Sequence, residues 1–367
     1  MKSFQKRNIC PKLEMLEPGE HLAYPVRQHI GKDAEIVVNI GDRVLEGQIL
    51  AKGGTLSVSA NVHASVSGIV SDIKQVTTLG GQPVRAVIIK NDGRYEVLSQ
   101  SEKNKKKRIF DKMSSDEIIN AVYNAGIVGM GGAGFPTHIK LSNDRESIRY
   151  IIINGAECEP YISADHRLML CESDRLICGI QILLKLFYNA LAVIVIEDDK
   201  MDAVKLLEEK TKSNNNIKVI KSGYPKGAER QLVNAVTKKR LAMGKLPSEA
   251  GCIVCNAATV TEICRAVVEA EPFIKRIVTV TGDAVPESHN YLVRTDIGTV
   301  IQAARVKKEQ VAKIIIGGPM MGKAVYSYDI PVTKTTSAII CMTEKESYMA
   351  PESVCIRCGK CVDVCPE

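Results

Sequence analysis

The spacing of apolar residues changes along the chain and divides it into segments with different predicted structures. From residue 20 to 95, short alternating runs are broken by glycines, as in GDRVLEGQILAK (41–52) and NVHASVSGIVSDI (61–73). Glycine turns between short strands predict a small β-barrel or sandwich, which we assign to residues 1–95. Residues 96–113 are polar and include the run KNKKKR, so they are predicted to form a basic linker.

The central segment, residues 114–271, alternates helical and strand-like patterns. Ser114 or Ser115 is the predicted N-cap of its first helix, with Glu117 near the third helical position. Strands separated by helices predict a Rossmann-like α/β domain whose sheet is covered on both faces. The predicted strands are apolar, β-branched runs at residues 149–155, 190–198, 216–223 and 251–257.

The remaining residues form two further predicted units. Residues 272–342 indicate a small α+β unit, in which RIVTVTGDAV, YLVRTDIGTVIQAA and KIIIGGPMMGKAV are predicted as strand, helix and strand. Residues 343–367 are polar and lead into a cysteine motif. The predicted fold class is therefore a multidomain α/β protein.

Composition narrows the possible function classes. The 367 residues are 45% hydrophobic and 25% charged, which is typical of globular proteins, and the absence of Trp predicts an aliphatic core. The net charge of +7 comes largely from the linker, without interleaved aromatic residues, so nucleic-acid binding is not expected. Twelve cysteines are too sparse for a disulfide scaffold. No apolar core of a signal peptide is present near the N-terminus.

The longest apolar stretch, residues 177–196, is interrupted by Gln181, Lys185 and Asn189 and ends in the β-branched run AVIVI. This pattern favours an amphipathic helix followed by a buried strand over a membrane span.

A glycine-rich loop at residues 126–141 (GIVGMGGAGFPTHIKL) is the first candidate binding site. It contains Gly129, Gly131, Gly132 and Gly134. Such a loop lets the backbone approach a ligand and presents N–H groups to a phosphate or a flavin edge. A tight structural turn is the alternative. Lys140 is either a phosphate-binding charge or a solvated lysine.

Polar residues follow the strand at 149–155, at the end where open α/β sheets bind ligands. Asn154, Glu157 and Glu159 lie there, and Asp165 and His166 come soon after. The two glutamates could bind a metal, act as acid and base, or accept hydrogen bonds from sugar hydroxyls. We disfavour a metal because no second histidine lies nearby at ligand spacing.

The cysteine motif near the C-terminus is the third candidate site. Cys355, Cys358, Cys361 and Cys365 have the spacing C-x2-C-x2-C-x3-C-P of bacterial ferredoxins, which predicts 4Fe-4S ligation and reduced thiols. The fourth cysteine of that motif normally ligates a second cluster. No second run follows, so we expect a truncated ferredoxin-like module whose clusters are partial or absent in this chain.

Seven ordered blocks give the chain a family resemblance. They are ASVSG, GMGGAGFPTHIKL, INGAECEPY with ADHRLM, YPKGAERQL, VTVTG, IGGPMMG and CIRCGKCVDVCP. The set resembles RnfC, the C subunit of the Rnf electron-transport complex. The second and third blocks also resemble the NADH-binding flavoprotein subunit of respiratory complex I. The first segment resembles biotinyl/lipoyl-type barrel-sandwich hybrids, although Lys52 lacks the neighbours of a modified lysine, which favours a docking module.

The resemblance implies roles for individual residues. It implies that Asn256 and Thr259 hold the FMN phosphate, and that Glu159 and Glu229 lie near NADH. It also implies a β-grasp domain at residues 272–342. The further residues that match its FMN site are Gly129, Gly131, Gly132, Gly134, Lys140, Asn154 and Glu157. Met130 and Ala156 depart from the complex I pattern by removing a cation and a carboxylate, which weakens the implied NADH binding more than that of FMN.

The implied function is electron transfer between NAD(H) and ferredoxin through FMN and two 4Fe-4S clusters. The chain would be a peripheral oxidoreductase subunit at the cytoplasmic face of the cell membrane, with partner subunits translocating ions. Hydride transfer would be cofactor-based, without a catalytic side chain. The alternative is a soluble flavin and iron–sulfur adaptor that delivers NADH electrons to a reductase such as proline reductase. The missing N-terminal G-G-x-H block of the Rnf subunit keeps this alternative open.

Overall fold

The computed structural model describes residues 11–54, 57–98, 108–211, 216–348 and 353–364, which form a mixed α/β, multidomain fold. The described strands are β1 (Leu13–Met15), β2 (His21–Pro25), β3 (Glu35–Ile36), β4 (Arg43–Val44), β5 (Ile49–Lys52), β6 (Val62–His63), β7 (Gly68–Thr77), β8 (Pro83–Asn91), β9 (Tyr150–Gly155), β10 (Leu191–Glu197), β11 (Asn216–Ile220), β12 (Cys252–Asn256), β13 (Arg276–Thr281), β14 (His289–Val293), β15 (Lys313–Ile316), β16 (Lys323–Val325) and β17 (Ala338–Met342). The described α-helices are α1 (Ser115–Asn124), α2 (Thr137–Leu141), α3 (Ala164–Cys171), α4 (Ser173–Leu186), α5 (Met201–Thr211), α6 (Glu229–Thr237), α7 (Ala257–Cys264), α8 (Ile297–Ala303), α9 (Glu344–Ser347) and α10 (Lys360–Asp363).

Two small antiparallel sheets form the N-terminal part. Their strand orders are β2-β8-β7-β4 and β3-β5-β6, and their apolar side chains share one core. Gly41 and Gly47 have φ values of +93° and +86°, which explains why glycine is favoured at these turns. The predicted pattern of short strands between glycine turns is therefore confirmed for the described residues.

The central sheet is parallel, in the order β11-β10-β9-β12, and both its faces are covered. Ile151 and Ile153 on β9 pack into a core with α1, α4 and α7. Ile152 points to the opposite face and packs with Leu232 and Val233 of α6. The side chains alternate because successive residues of a strand face opposite sides of the sheet. The four strands predicted here from β-branched runs are confirmed.

The helix boundaries agree with two sequence predictions. Ser114 caps α1, with a reciprocal hydrogen bond between its backbone and Glu117. The long apolar stretch forms α4 followed by β10, as its polar interruptions predicted. None of the described helices combines the length and the apolar character that crossing a bilayer requires.

A six-stranded mixed sheet in the order β1-β14-β13-β17-β15-β16 contains strands from both ends of the sequence. β1 pairs in parallel with β14, although β1 lies within the segment 1–95 that we assigned to the barrel. The single helix predicted for YLVRTDIGTVIQAA is wrong in its first part, which forms the end of β14. Asp296 then begins α8, because its carboxylate accepts the N–H of Thr299 at 2.9 Å.

Candidate functional site

The glycine loop forms a tight hairpin between α1 and α2. The N–H of Gly129 donates to the carbonyl of Phe135 at 2.8 Å, and Val128 forms an isolated bridge with Pro136. Gly132 at the tip is exposed, has φ +152°, and has no heavy atom within 4 Å of the position a Cβ would take. The tip is therefore open to a ligand.

Asn256 ends β12 and caps α7, and the glycine loop lies against this helix start. The carboxamide oxygen of Asn256 accepts the N–H groups of Ala258 and Thr259 at 2.9 and 3.4 Å. A Cβ at Gly131 would lie 3.4 Å from the Cβ of Asn256. The N–H of Met130 donates to Thr259 Oγ1 at 3.0 Å. The loop glycines, Asn256 and Thr259 are therefore brought together.

Lys140 and Glu229, predicted from distant parts of the sequence, form an ion pair. Lys140 Nζ lies 3.2 Å from Glu229 Oε1 and donates to the carbonyl of Val254 at 2.8 Å. Glu229 is the first residue of α6 and is exposed. The pair holds the lysine beside the end of β12.

Asn154 holds the loop before α6 to the end of β9. Its amide nitrogen donates to the carbonyl of Gly227 at 2.9 Å, and its oxygen accepts the N–H of Ala156 at 3.1 Å. Asn154 pairs in register with Asn256 on the neighbouring strand, so both asparagines lie at the carboxyl edge of the sheet. The Asn154 side chain therefore joins the end of β9 to the loop before α6.

Glu157 binds the start of α3. Its carboxylate accepts the N–H groups of Asp165 and His166 at 2.7 and 3.1 Å, and its backbone is left-handed with φ +47°. Burial raises the pKa of both Glu157 and Asp165. Asp165 Oδ2 accepts a hydrogen bond from Asn256 Nδ2 at 2.5 Å. The two carboxyl groups therefore link α3 to the start of α7.

His166 points away from these carboxyl groups and lies 2.7 Å from Asp202. Within the described parts of the chain, no cluster of three or more His, Cys, Asp or Glu side chains is arranged to hold a metal ion.

Glu159 contacts the loop between β15 and β16. Its two carboxylate oxygens accept the N–H groups of Met320 and Met321 at 2.9 and 2.8 Å. A Cβ at Gly318 would lie 2.2 Å from this carboxylate, so only glycine fits there without a shift. The structure thus connects the central sheet to the six-stranded sheet through Glu159.

Two buried cations behind the glycine loop were not among the predicted site residues. Arg276 donates to the carbonyls of Met130 and Lys334 at 3.1 and 2.6 Å. Lys334 Nζ donates to the carbonyls of Asn61 and Gly126 at 2.6 and 2.7 Å. The sequence signal was weak: Arg276 begins the apolar run RIVTVT, and Lys334 lies among threonines in TKTT.

The cysteine segment is exposed where it is described. Cys355, Cys358 and Cys361 all have exposed side chains, and α10 contains the last of them. Cys365 lies outside the described residues.

Comparisons with known families match two parts of the chain. Residues 5–94 match the RnfC barrel sandwich hybrid domain, and residues 122–265 match the Nuo51 FMN-binding domain. The second match contains the glycine loop and the start of α7.

A solved structure shares part of the fold. An NAD+-reducing NiFe-hydrogenase in its H2-reduced state superposes with a TM-score of 0.54 at 20% identity. The match covers 64% of this chain and 48% of that chain, so it spans less than half of the hydrogenase chain.

Relatives of known family match nearly the whole chain. The C subunit of the proton-translocating ferredoxin:NAD(+) oxidoreductase complex of Clostridium ljungdahlii is 40% identical, over 93% of this chain and 75% of the relative. The C subunit of the Na(+)-translocating complex of Acetobacterium woodii is 37% identical, over 95% of this chain and 79% of the relative. The C subunit of the ion-translocating oxidoreductase complex of Yersinia enterocolitica is 37% identical, over 95% of this chain and 50% of the relative. The chain belongs to the RnfC family, the C subunits of ion-translocating ferredoxin:NAD(+) oxidoreductase complexes.

Proposed function

We propose that this chain is the electron-input subunit of an Rnf-type complex and passes electrons between NAD(H) and ferredoxin. The observation that supports this most strongly is the open glycine loop against the start of α7, within the segment that matches an FMN-binding domain. The names of the relatives support the same reaction. FMN, when bound, takes two electrons as a hydride and releases them singly, which connects a nicotinamide to one-electron carriers.

The open loop tip fits a flavin nucleotide. Nothing lies near the Cβ position of Gly132, so a planar ring or a phosphate can approach the backbone there. The positive end of the α7 dipole also favours a phosphate, while Asn256 caps the N–H groups of Ala258 and Thr259. We propose that the FMN site consists of Gly129, Gly131, Gly132, Gly134, Lys140, Asn154, Glu157, Asn256 and Thr259.

Glu159 and Glu229 are the proposed carboxylates for NADH, and both are accessible enough to accept hydrogen bonds from ribose hydroxyls. A carboxylate has about four acceptor positions. Glu159 uses two of them on Met320 and Met321, which leaves capacity for a nucleotide. Lys140 neutralises part of the charge of Glu229.

The cysteine segment is the proposed exit for electrons. Cys355, Cys358 and Cys361 are exposed thiols with ferredoxin spacing, and with Cys365 they are the proposed 4Fe-4S ligands. We further propose a β-grasp domain at residues 272–342, attachment to partner subunits at the cytoplasmic face of the membrane, and indirect delivery to ferredoxin.

The test is titration of the purified chain with FMN, followed by NADH, with iron content measured alongside. We expect quenching of flavin fluorescence on binding and bleaching of flavin absorbance by NADH. A chain that takes up no FMN would overturn the proposal. Bound FMN that NADH does not bleach would overturn the NADH part of it.

A pair of glycine variants makes this test specific. Gly132 and Gly93 both have positive φ, at +152° and +67°, and both have an open Cβ position. Gly132→Ala and Gly93→Ala therefore both introduce backbone strain, of order 1–3 kcal/mol. We expect only Gly132→Ala to weaken FMN binding. Equal FMN affinity in the two variants would contradict the proposed position of the flavin.

A further inference from the structure

Met130 is a buried residue inside a loop whose tip is exposed. Its side chain is 4% exposed. Its N–H donates to Thr259 Oγ1 at 3.0 Å, and its carbonyl accepts from Arg276 Nη2 at 3.1 Å. Both polar groups of this residue are therefore held by side chains from outside the loop.

Burial and two hydrogen bonds fix the position of the Arg276 guanidinium. It is the first residue of β13 and is 7% exposed. Its second nitrogen, Nη1, donates to the carbonyl of Lys334 at 2.6 Å. Burial lowers its pKa to about 10, so the guanidinium remains charged at neutral pH. Asp165 and Glu262 supply nearby negative charge. The rigid guanidinium fork therefore binds two carbonyls at once.

The contact with Arg276 fixes the direction of the next N–H group. The Met130–Gly131 peptide is planar and trans, so the Met130 carbonyl and the Gly131 N–H point in opposite directions. Arg276 holds the carbonyl toward the protein interior. The N–H of Gly131 is consequently directed away from Arg276, toward the exposed side of the loop.

Thr259 fixes the preceding peptide in the same way. Because it accepts the N–H of Met130, it turns the carbonyl of Gly129 to the opposite side. Two consecutive peptide units of the loop therefore have set orientations before any ligand arrives. The Gly131 N–H is thus a preorganised donor, which binds an electron-rich ligand without paying for reorientation.

We propose that Arg276 is a positioning residue for the flavin loop, which directs the N–H of Gly131 toward FMN without contacting it. This inference rests on the proposed function. It assigns the buried cation a role in ligand affinity in addition to its contribution to stability.

The test compares Arg276→Met with Arg294→Met. Arg294 is a matched control, because it is a partly buried arginine that also joins two parts of the fold, donating to the carbonyl of Ser65 at 3.3 Å and pairing with Glu46 at 2.9 Å. We expect both variants to lower the melting temperature. Only Arg276→Met should weaken FMN binding, by about tenfold or more, as for loss of a charged hydrogen bond.

The inference is overturned if Arg276→Met binds FMN within about twofold of wild type, or if Arg294→Met weakens FMN binding equally. If Arg276→Met does not fold, Arg276→Lys decides: it keeps the charge but cannot span both carbonyls as the fork does. We expect its FMN affinity to fall at least about threefold, and wild-type affinity in this variant would overturn the inference. A wild-type chain that binds no FMN would instead overturn the proposed function itself.

Discussion

At the scale of single residues, Glu159 holds a loop in place in addition to its proposed role in binding NADH. Two backbone N–H groups bind its carboxylate, and charge-assisted bonds of this kind are stronger than neutral ones. The loop of Met320 and Met321 is otherwise exposed, since these side chains are 55% and 73% accessible. The carboxylate therefore holds an exposed loop next to the proposed nucleotide site.

Glu159→Gln should loosen this loop, because a carboxamide oxygen is uncharged and the NH2 group cannot accept an N–H. We expect faster amide hydrogen exchange at Met320 and Met321, measured by NMR or mass spectrometry. Glu229→Gln is the control, since Glu229 pairs with the Lys140 side chain. Unchanged exchange at both methionines would show that the carboxylate does not hold the loop.

The buried Lys334 is expected to make the free energy of unfolding depend on pH. It is 7% exposed, and burial alone lowers its pKa from 10.5 to about 7. Between these pH values the unfolded chain binds more protons at this site than the folded chain. This site therefore makes the folded state more stable as pH rises from about 7 toward 10.5.

Lys334→Met should remove that contribution. We expect the free energy of unfolding, measured with urea between pH 7 and 9.5, to rise less steeply with pH in the variant than in wild type. Lys308→Met, at an exposed lysine, is the control and should keep the wild-type slope. Identical slopes for Lys334→Met and wild type would refute the assignment to Lys334.

At the scale of elements, α4 and α7 pack closely at a glycine. A Cβ at Gly179 would lie 2.1 Å from the carbonyl oxygen of Val260. The backbone of α7 cannot give way as a flexible side chain could. This contact supports the helix whose start holds the glycine loop.

Gly179→Ala tests the contact, because close packing and helix propensity change the stability of the protein in opposite directions. Helix propensity alone would stabilise the variant by about 1 kcal/mol, whereas the clash forces the helices apart, and overpacking costs about 1–3 kcal/mol. We expect net destabilisation in a denaturant titration, with reduced FMN affinity. A variant more stable than wild type would mean that α4 and α7 separate without cost.

The sequence predicted elements with strong local signals. The four β-branched runs became β9, β10, β11 and β12, and the Ser114 capping box formed. It missed β14 because only two residues separate the end of this five-residue strand from Asp296, the cap of α8, so the run was predicted as one helix. It also missed the partner of β1, since a three-residue strand carries no sign of which sheet it joins.

The site at the scale of the whole molecule combines local motifs with distant supports. The glycine loop and Asn256 at the start of α7 could be predicted from the sequence, because these residue types indicate a binding loop and a polar contact by themselves. Arg276 and Lys334 were not, because their role depends on carbonyls of Met130, Gly126 and Asn61 from other parts of the chain. Long-range backbone contacts leave no pattern in the residues that accept them.

The cysteines should separate into two classes of reactivity across the molecule. Cys355, Cys358 and Cys361 are exposed. Cys255 and Cys341 are buried, and burial raises the pKa of both thiols, that of Cys341 to about 12. Since the thiolate is the nucleophile, we expect iodoacetamide to label the first group well before the second in the chain without bound clusters, as followed by peptide mass spectrometry. Equal labelling rates in the native protein would contradict this burial pattern.

The pairing of β1 with β14 sets an order for folding during synthesis. Glu14 on β1 contacts His289 on β14, 275 residues later in the chain. At about 5–20 residues per second, the ribosome takes on the order of tens of seconds to make the intervening chain. The barrel strands β2 to β8 are complete early in that interval, whereas β1 stays unpaired until β14 emerges. An N-terminal fusion partner that sequesters residues 13–15 should therefore slow completion of the six-stranded sheet while leaving the barrel intact.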